Sequence, residues 1–514
     1  MTTPAHSNYP LLPTPPMDTT TLIEQEETPP KAGAGVHRIA RDVATLVIGS
    51  FLAAVFGALI VFVVPRITPV EDFGYWRIFV LYASYVGFFH LGFGEGALLA
   101  WAGKPLEDLR RELRPSLKFL IGQHLLFLLP GVVIAAVLLP PKIRFVAIAV
   151  LAFALLQNTV VMLQSASQAA RQFAPVAIAM AAPVGLFLVF ASLAAWWGRP
   201  DYRILVSCYF LAWAIVLAIL WVKLHPFQFE SKGSAWMVGK RYIAIGWPIT
   251  LANAAFGLVQ SSDRMVLSSA VSIYDFAQYS LAASTMMVPV TLIAAIARVF
   301  FPHLAATDRK QHPEIYGQVS RLIVMAWSIL LPYYFLVDLF VRRFLPNYAG
   351  ILPVAGILLL GALFLAVIQI LHGSVFNLYG KQKHFLLYAI LAVAISMGLV
   401  AMAILVFHSF RLVAAMQVAV VGAWWLFNAW RLSPITGESW RDFAAALLIF
   451  AWSAISLRWA FSWSLHWAIR TVCYWAFTAA PLTLLCRDEM RLIFRFIRGV
   501  RPLRPLAAPA SAGD

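Results

Sequence analysis

Charged side chains are scarce in this chain of 514 residues. Asp, Glu, Lys and Arg make up only 12% of it, whereas 61% of the residues are hydrophobic. A typical soluble domain carries about twice that charged share and needs it to cover its surface. The composition therefore excludes a water-soluble fold of this size. It predicts an all-α polytopic membrane protein, because runs of about 20 apolar residues recur along the chain.

Cysteine and nucleotide-binding motifs are also scarce. The three cysteines, Cys208, Cys473 and Cys486, are scattered and form no CxxC pair, so we expect neither a disulfide framework nor structural zinc. P-loop, GxSxG and HExxH motifs are missing from the sequence as well. We therefore expect no enzyme and no cofactor. Transport would be driven by substrate flow or by a gradient, with H⁺ or Na⁺ as the candidate coupling ion.

The two terminal segments have no transmembrane character. Residues 1–36 are polar, rich in Pro and Thr, and lack the apolar stretch of a signal peptide. They predict a disordered cytoplasmic tail. At the other end, arginines recur every three or four residues from Arg487 to Arg498, opposite Leu, Ile and Phe. This spacing predicts an amphipathic helix on the anionic lipids of the inner leaflet.

Hydropathy predicts about 14 transmembrane helices and hence termini on the same side. Lys and Arg are more than twice as frequent on the segments at the N-terminal side as on the opposite side. The positive-inside rule then places both termini in the cytoplasm, and we expect a multi-pass protein of the bacterial inner membrane. The predicted spans are 43–64, 75–100, 116–139, 145–165, 174–197, 204–222, 240–262, 277–302, 319–341, 352–377, 384–408, 411–430, 441–460 and 464–485.

An internal repeat is visible, because Asp72-Phe73 recurs as Asp275-Phe276 and the first four spans then align with spans seven to ten. Both copies start on the same side, which predicts two six-helix lobes as parallel repeats around a central cavity. The predicted domains are a cytoplasmic tail (1–36), an N-lobe (37–222), a cytoplasmic linker (223–239), a C-lobe (240–431), two further helices (441–485) and a basic amphipathic tail (486–514).

Charged residues inside predicted spans are the first candidates for function, because a charge in hydrocarbon costs a few kcal/mol and usually faces a cavity. The candidates are Glu95, Asp263, Arg264, Arg298 and Arg77. Each has a structural alternative. Glu95 would serve helix packing, Asp263-Arg264 would be a self-neutralising interfacial pair, and the other two arginines would extend to the membrane surface.

Several short segments, in this order and spacing, resemble the polysaccharide flippases of the Wzx type. These translocate lipid-linked oligosaccharides and are part of the multidrug/oligosaccharidyl-lipid/polysaccharide exporter (MOP) superfamily. The segments are Asp72–Tyr75, Leu91–Phe93, Gly246–Asn253, Gln260–Leu267, Tyr279–Ala282, Phe301–Pro302 and Asn377–Lys383. The resemblance implies a V-shaped cavity between two lobes that opens alternately to each side. It also implies translocation of an undecaprenyl-pyrophosphate-linked oligosaccharide to the periplasmic leaflet for polysaccharide biosynthesis.

The resemblance also suggests roles for individual residues. Asp263-Arg264 matches, by type and approximate position, an Asp-Arg pair of the lipid II flippases in the same superfamily. Unlike those relatives, this chain has no basic residue between Arg41 and Arg66. Because arginine forks suit phosphate oxygens, substrate binding is assigned to a set of six residues, with Glu95 as the ion-coupling candidate. The six are Asp263, Arg264, Arg298, Arg77, Asn253 and Gln260.

Two alternative functions remain open at this point. A multidrug or cation antiporter of the same superfamily would need buried carboxylates, and Glu95 is one. A membrane-embedded glycosyltransferase or polymerase would need an acidic pair such as Glu71-Asp72. The expected partners are the lipid-linked substrate, anionic inner-leaflet lipids, and polymerases or glycosyltransferases of the same pathway. No nucleic-acid partner is expected, since the basic residues are explained by membrane orientation.

Overall fold

The computed structural model describes residues 32–226, 234–438, 440–463 and 465–487. Most of both predicted tails and part of the predicted linker at 223–239 lie outside the described residues. Within them every regular element is helical, which confirms the all-α prediction. The helices are α1 (Ala32–Ile67), α2 (Val70–Ala83), α3 (Phe93–Trp101), α4 (Leu106–Leu138), α5 (Pro141–Ala169), α6 (Phe173–Trp197), α7 (Tyr202–Leu224), α8 (Ala235–Ala270), α9 (Ile273–Ala306), α10 (His312–Leu330), α11 (Tyr333–Phe344), α12 (Leu352–Val367), α13 (Gly373–Leu378), α14 (Gln382–Leu405), α15 (Phe410–Thr436), α16 (Trp440–Ser462) and α17 (Trp467–Leu485).

The helix starts follow from local sequence chemistry. Asp201 caps α7 by accepting a hydrogen bond of 2.9 Å from the backbone N–H of Ile204. Ser409 caps α15 in the same way, and Pro141 occupies the first turn of α5, where its missing N–H costs nothing. Each of these residues therefore marks the start of a helix with a local chemical signal.

Twelve helical segments of the described chain are long and apolar enough to cross a membrane. The bent pair formed by Val70–His90 and α3, whose axes differ by 56°, passes the same test when the two parts are taken together and would add a thirteenth crossing as one span. The bend lies at Leu91 and Gly92, both of which have positive φ. The last predicted span, 464–485, coincides with α17, which is not among the twelve. The repeat between the two halves of the chain remains a prediction.

The helices meet along a boundary between the first half, up to α7, and the second half, from α8 onward. We call this boundary the seam. Helix α8 packs against α3 and α4 of the first half and against α14 of the second. The predicted outer end of the bundle carries the turns at 68–69 and 271–272, and the predicted inner end carries the turns at 102–105 and 379–381.

Aromatic and small residues close the seam at its predicted outer end. The rings of Phe62 and Phe340 lie 4.7 Å apart, and those of Phe73 and Tyr348 lie 5.9 Å apart. In α2, Gly74 lies against the backbone of α9, where a larger side chain would collide with the carbonyl of Ile273. The two halves are therefore in close contact at this end.

The predicted inner end of the seam is closed by backbone contact between α3 and α8. A Cβ on Gly96 would collide with the carbonyl of Tyr242, and one on Gly246 would collide with the carbonyl of Gly92. Glycine at these positions lets the two helices approach more closely than side chains would allow. The seam is thus closed at both ends in this structure.

Several helices extend beyond their predicted spans, and two of these extensions concern the candidate arginines. The prediction ended span seven at residue 262, but α8 continues to Ala270, because apolar residues follow Arg264. Span two was predicted from residue 75, but α2 begins at Val70. Arg264 and Arg77 therefore each lie six or seven residues inside a helix, about 10 Å from its end at 1.5 Å per residue. Both arginines lie toward the predicted outer end but further inside the helices than the predicted spans place them.

Candidate functional site

Asp263 and Arg264 form a bonded pair at the seam. The Asp263 carboxylate is 2% exposed and accepts a 2.7 Å hydrogen bond from the Tyr279 hydroxyl on α9. Its other oxygen lies 3.7 Å from Arg264 Nε. The Arg264 guanidinium also donates to the carbonyl of Gln260 at 3.1 Å. One terminal nitrogen of Arg264 is thus bonded to its own helix, and its Nε atom is buried without a hydrogen-bond partner among the described residues.

Arg77 reaches the same region from α2, in the first half of the chain. It is half-buried, and among the described residues its Nε is buried without a hydrogen-bond partner. The positive charge of Arg264 acts on it directly. Nothing in the sequence spacing indicated that these two arginines, 187 positions apart, would approach each other.

Tyr85 completes this side of the seam. Its hydroxyl donates to the carbonyl of Gly257 at 3.0 Å and contacts the hydroxyl of Ser261. Ser261 has φ −134° and ψ 15°, so α8 is bent at this residue. Sequence reasoning missed Tyr85, which lies in no motif, although its position before the Val86–His90 turn marks a break in span two.

We call the group formed by Arg77, Tyr85, Asp263, Arg264 and Tyr279 the arginine site. It holds two guanidinium groups and one carboxylate, hence one net positive charge, within the predicted membrane-spanning part of the bundle. Like charges held together away from water repel each other, and an anionic ligand would relieve that repulsion. Guanidinium groups also present several donors in a plane, which suits phosphate oxygens.

Ser262, the neighbour of Asp263 on α8, is buried in the second half. Its hydroxyl lies 2.7 Å from that of Ser396, and both contact the side-chain oxygen of Gln417. The Gln417 amide in turn donates to the carbonyl of Val259 at 2.7 Å. The network satisfies backbone and side-chain groups beside the bend in α8, so these polar residues join α8, α14 and α15.

Glu95 lies on α3, 3.6 Å from the Nε2 atom of buried His90. One of its oxygens is buried and has no hydrogen-bond partner among the described residues. The sequence did not indicate a partner for Glu95. The sharp turn at Leu91 and Gly92 creates the contact between Glu95 and His90, because it changes the direction of the chain between His90 and α3. This pair is separate from the arginine site.

For the side chains of the other predicted binding residues, no bond to the arginine site is found among the described residues. Asn253 is exposed on α8. Gln260 is half-buried, and its amide nitrogen lies 3.5 Å from the sulfur of Met287. The side chain of Arg298 lies outside the described residues, so its role stays a prediction. Among the described residues, no group of three His, Cys, Asp or Glu side chains is arranged to hold a metal ion.

A hydrogen-bonded cluster crosses the seam near its predicted inner end. Glu112 of α4 accepts from the indole N–H of Trp101 at 2.8 Å and from Lys104 at 2.6 Å. The Tyr242 hydroxyl of α8 also donates to the Glu112 carboxylate. We call these four residues the inner latch. The inner latch joins the first half of the chain to the second through one carboxylate. The bond from Tyr242 to this carboxylate must break before the inner end of the seam can open.

A polar cavity of about 430 Å³ lies at the predicted inner end of the second half. Its charged lining residues are Glu314, Arg321, Glu438, Asp442 and Arg487. Burial raises the pKa of Glu438, in the turn between α15 and α16, to about 7. The neighbouring Asp442 raises this pKa further, while Arg321 opposes the shift. This cavity lies away from the seam and is not part of the arginine site.

Comparisons with known proteins agree with this architecture. Residues 113–346 match the sequence model of a family described as a polysaccharide biosynthesis protein. The fold is similar to that of the lipid II flippase MurJ in an inward closed conformation, with a TM-score of 0.68 and 13% identity. That match covers 86% of this chain and 99% of MurJ. No curated protein sequence shows significant similarity to the chain.

Transporters of the multidrug resistance MATE family share the fold as well. An inward-facing MATE transporter of the MOP superfamily matches with a TM-score of 0.56 and 13% identity, covering 76% of this chain and 96% of that one. The MATE multidrug transporter DinF-BH matches with a TM-score of 0.54 and 15% identity, covering 81% of this chain and 100% of that one. The resemblance predicted from the sequence motifs is confirmed at the level of the fold, which this chain shares with MurJ and the MATE transporters.

Proposed function

We propose that this chain, with the fold of the MOP-superfamily transporters and a family match to polysaccharide biosynthesis proteins, is a flippase for lipid-linked oligosaccharide. Its substrate would be a saccharide joined through pyrophosphate to undecaprenol. The chain would move this headgroup from the cytoplasmic to the periplasmic leaflet of the bacterial inner membrane, with the lipid tail remaining in the bilayer.

The arginine site is the observation that supports this proposal most directly. A pyrophosphate that crosses the hydrocarbon needs charge-assisted donors in place of water. Arg77 and Arg264 supply two guanidinium groups from opposite halves of the chain, and the charge of Arg264 acts on Arg77. Asp263 neutralises part of this charge through its 3.7 Å contact with Arg264. Partial neutralisation would keep the affinity moderate, so that the headgroup can leave again.

The same geometry weighs against a cation antiporter. A site for organic cations needs uncompensated carboxylates, but Asp263 is already bonded to Tyr279 and paired with Arg264. Glu95 is separate from the arginine site and lies beside His90. We assign Glu95 to ion coupling rather than to substrate binding, because a carboxylate beside an imidazole can take up or release a proton or bind a cation.

The seam supplies the moving part of the proposed mechanism. Arg77 and Arg264 belong to different halves, so opening the seam at one end changes the distance between them. The headgroup would enter when the inner latch breaks and would leave when the aromatic contacts at the opposite end separate. Each opening exposes the arginine site to one side only, which is the requirement for alternating access.

Deletion of the gene followed by extraction of membrane lipids tests the proposal. We expect lipid-linked oligosaccharide to accumulate in the inner leaflet, and a plasmid copy of the wild-type chain to clear it. An Arg77→Ala, Arg264→Ala double variant, produced at the same membrane level, should not clear it. Normal levels of lipid-linked oligosaccharide in the deletion strain, together with drug sensitivity, would contradict the flippase and favour the antiporter.

A further inference from the structure

A second cavity, of about 380 Å³, lies at the predicted outer end of the second half and adjoins the arginine site, with which it shares Tyr279. It is formed by the start of α9, the turn of 3₁₀-helix at Pro346–Ile351 and the start of α15. Aromatic, amide and carboxylate side chains share its lining, which consists chiefly of Tyr274, Asp275, Gln278, Tyr279, Asn347 and Phe410. We call it the outer pocket.

One amide of the outer pocket lacks a partner. The Gln278 side-chain nitrogen donates to the carbonyl of Asn347 at 2.6 Å. This bond fixes the direction of the amide, and its oxygen is buried with no hydrogen-bond partner among the described residues. A buried acceptor without a donor costs free energy, so a shift of the Gln278 amide that brings this oxygen to a hydroxyl or N–H group of a bound ligand would be favoured.

The pocket also offers aromatic surface beside its polar groups. Tyr274 is 44% exposed, so its ring is accessible from the pocket. Asp275 provides a further acceptor, and one of its oxygens is already bonded to the Ser272 hydroxyl at 2.7 Å. An accessible ring, a carboxylate and an oriented amide together suit a ligand with an apolar face and many hydroxyl groups.

We propose that the outer pocket binds a sugar unit of the translocated saccharide. This inference rests on the proposed flippase function and adds a saccharide site to it. Tyr279 supports the connection, because it lines the outer pocket and donates its hydroxyl to Asp263 of the arginine site. The two sites therefore adjoin, as the pyrophosphate and its first sugar do in the substrate.

A lipid tail fits this pocket less well than a sugar does. An acyl or polyprenyl chain offers no donor for Gln278 and would leave the Asp275 carboxylate beside hydrocarbon. The groove of about 480 Å³ between α14 and α15 is lined almost wholly by apolar side chains and illustrates the surface that a lipid tail prefers. A phosphate is excluded from the outer pocket by Asp275, whose negative charge would repel it.

Binding measurements on the full-length protein in nanodiscs test the proposal with three probes. The first is lipid-linked saccharide extracted from membranes of the source organism, the second is undecaprenyl pyrophosphate without sugar, and the third is the free saccharide released from the extract by mild acid. Wild-type protein should bind the first probe more tightly than the second, because only the first fills both sites.

Tyr274→Ala and Gln278→Met are the test variants, and Phe407→Ala is the matched control. Phe407 is an exposed aromatic residue at the same predicted end, outside the pocket. Each test variant should weaken binding of the saccharide-bearing lipid about tenfold, the effect of losing one hydrogen bond or ring contact. Binding of undecaprenyl pyrophosphate should not change, and Phe407→Ala should behave as wild type.

The outcomes separate the pocket from the flippase proposal. Equal losses for both lipids, or no loss for either, would overturn the saccharide site while leaving the flippase intact. Wild-type binding of the free saccharide but of neither lipid would support the pocket and contradict the flippase. Failure of the wild-type chain to bind any of the three probes would overturn both.

Discussion

At the scale of single residues, the central feature is a pair of guanidinium groups inside the bundle that influence each other electrostatically. Arg264 is held by its ion pair with Asp263 and by the carbonyl of Gln260. The Nε atoms of Arg264 and Arg77 are both buried without a hydrogen-bond partner among the described residues. Both arginines therefore keep unused donor capacity, and we expect both to contribute to recognition of an anionic headgroup.

Substitution of either arginine should lower export. Arg77→Ala and Arg264→Ala each remove a charge-assisted hydrogen bond worth about 1.5–3 kcal/mol, and should weaken pyrophosphate binding about 10- to 100-fold. Lysine retains the charge but not the fork and should restore part of the binding. Export at matched membrane levels is the measurement, and Arg343→Ala, an exposed arginine at the predicted outer end, is the control. Full activity of both alanine variants would show that the arginines only support the fold.

Glu95 gives a second prediction at this scale. Glu95→Gln keeps the shape but removes the charge opposite His90, so we expect export to fall several-fold while the amount of protein in the membrane stays constant. A dependence of wild-type export on H⁺ or Na⁺ gradients should disappear in the variant. Wild-type export by Glu95→Gln, with the same ion dependence, would leave Glu95 with a packing role.

At the scale of elements, the helix α8 combines contacts that belong to different parts of the molecule. It touches α3 in the first half through glycine, carries Asp263 and Arg264 near its outer end, and bends at Ser261 between these two regions. The Ser262, Ser396 and Gln417 network fastens α8 to the second half beside the bend. Helix α8 can therefore move with the second half while its contact with α3 opens.

Gly246→Ala tests that contact. The added methyl group would collide with the carbonyl of Gly92 and push α3 away from α8, at a cost of about 1–3 kcal/mol for overpacking. We expect a wider distance distribution between spin labels at Arg111→Cys and Met237→Cys, two exposed positions on opposite sides of the seam. Gly57→Ala is the control, because a Cβ there meets nothing within 4 Å. An unchanged distribution in Gly246→Ala would mean that the close approach is not what closes this end.

The turn between α15 and α16 predicts a pH effect on stability. The pKa of Glu438 is raised to about 7 in the folded protein, chiefly by burial, against about 4.3 for an unperturbed Glu. The folded state therefore prefers the protonated acid, and this stabilising contribution is present at low pH and is lost as the pH rises through 7. Glu438→Gln should remove this pH-dependent loss of folding stability, which we place at about 1–3 kcal/mol.

Thermal unfolding in detergent between pH 5 and pH 8 measures this effect. The unfolding temperature of Glu438→Gln should rise relative to wild type as the pH increases, because only the wild-type chain must bury a charge at pH 8. Parallel pH curves for the two proteins would show that Glu438 is not protonated in the folded state near neutral pH.

At the scale of the whole molecule, the described helices form the membrane-embedded machinery, and residues 1–36 carry no feature that the proposed mechanism uses. They are polar and proline-rich, a composition that does not support a packed core. A chain that begins at Val36 should therefore insert and export as the full-length chain does. Export and membrane level, compared side by side, check this prediction. A loss of export at normal membrane levels would assign the segment a function beyond that of a tether.

The sequence by itself determined the membrane-spanning class, the helix positions and the unusual Asp263-Arg264 pair, because hydropathy and charge are properties of neighbouring residues. Only the tertiary structure decided which residues meet. Most of these helices are apolar around their whole circumference, so no pattern indicated that Ser262 faces inward while Arg264 faces Arg77. The electrostatic influence of Arg264 on Arg77, the bond of Tyr242 to Glu112 and the position of Tyr279 at the outer pocket follow from helix packing between segments far apart in the chain.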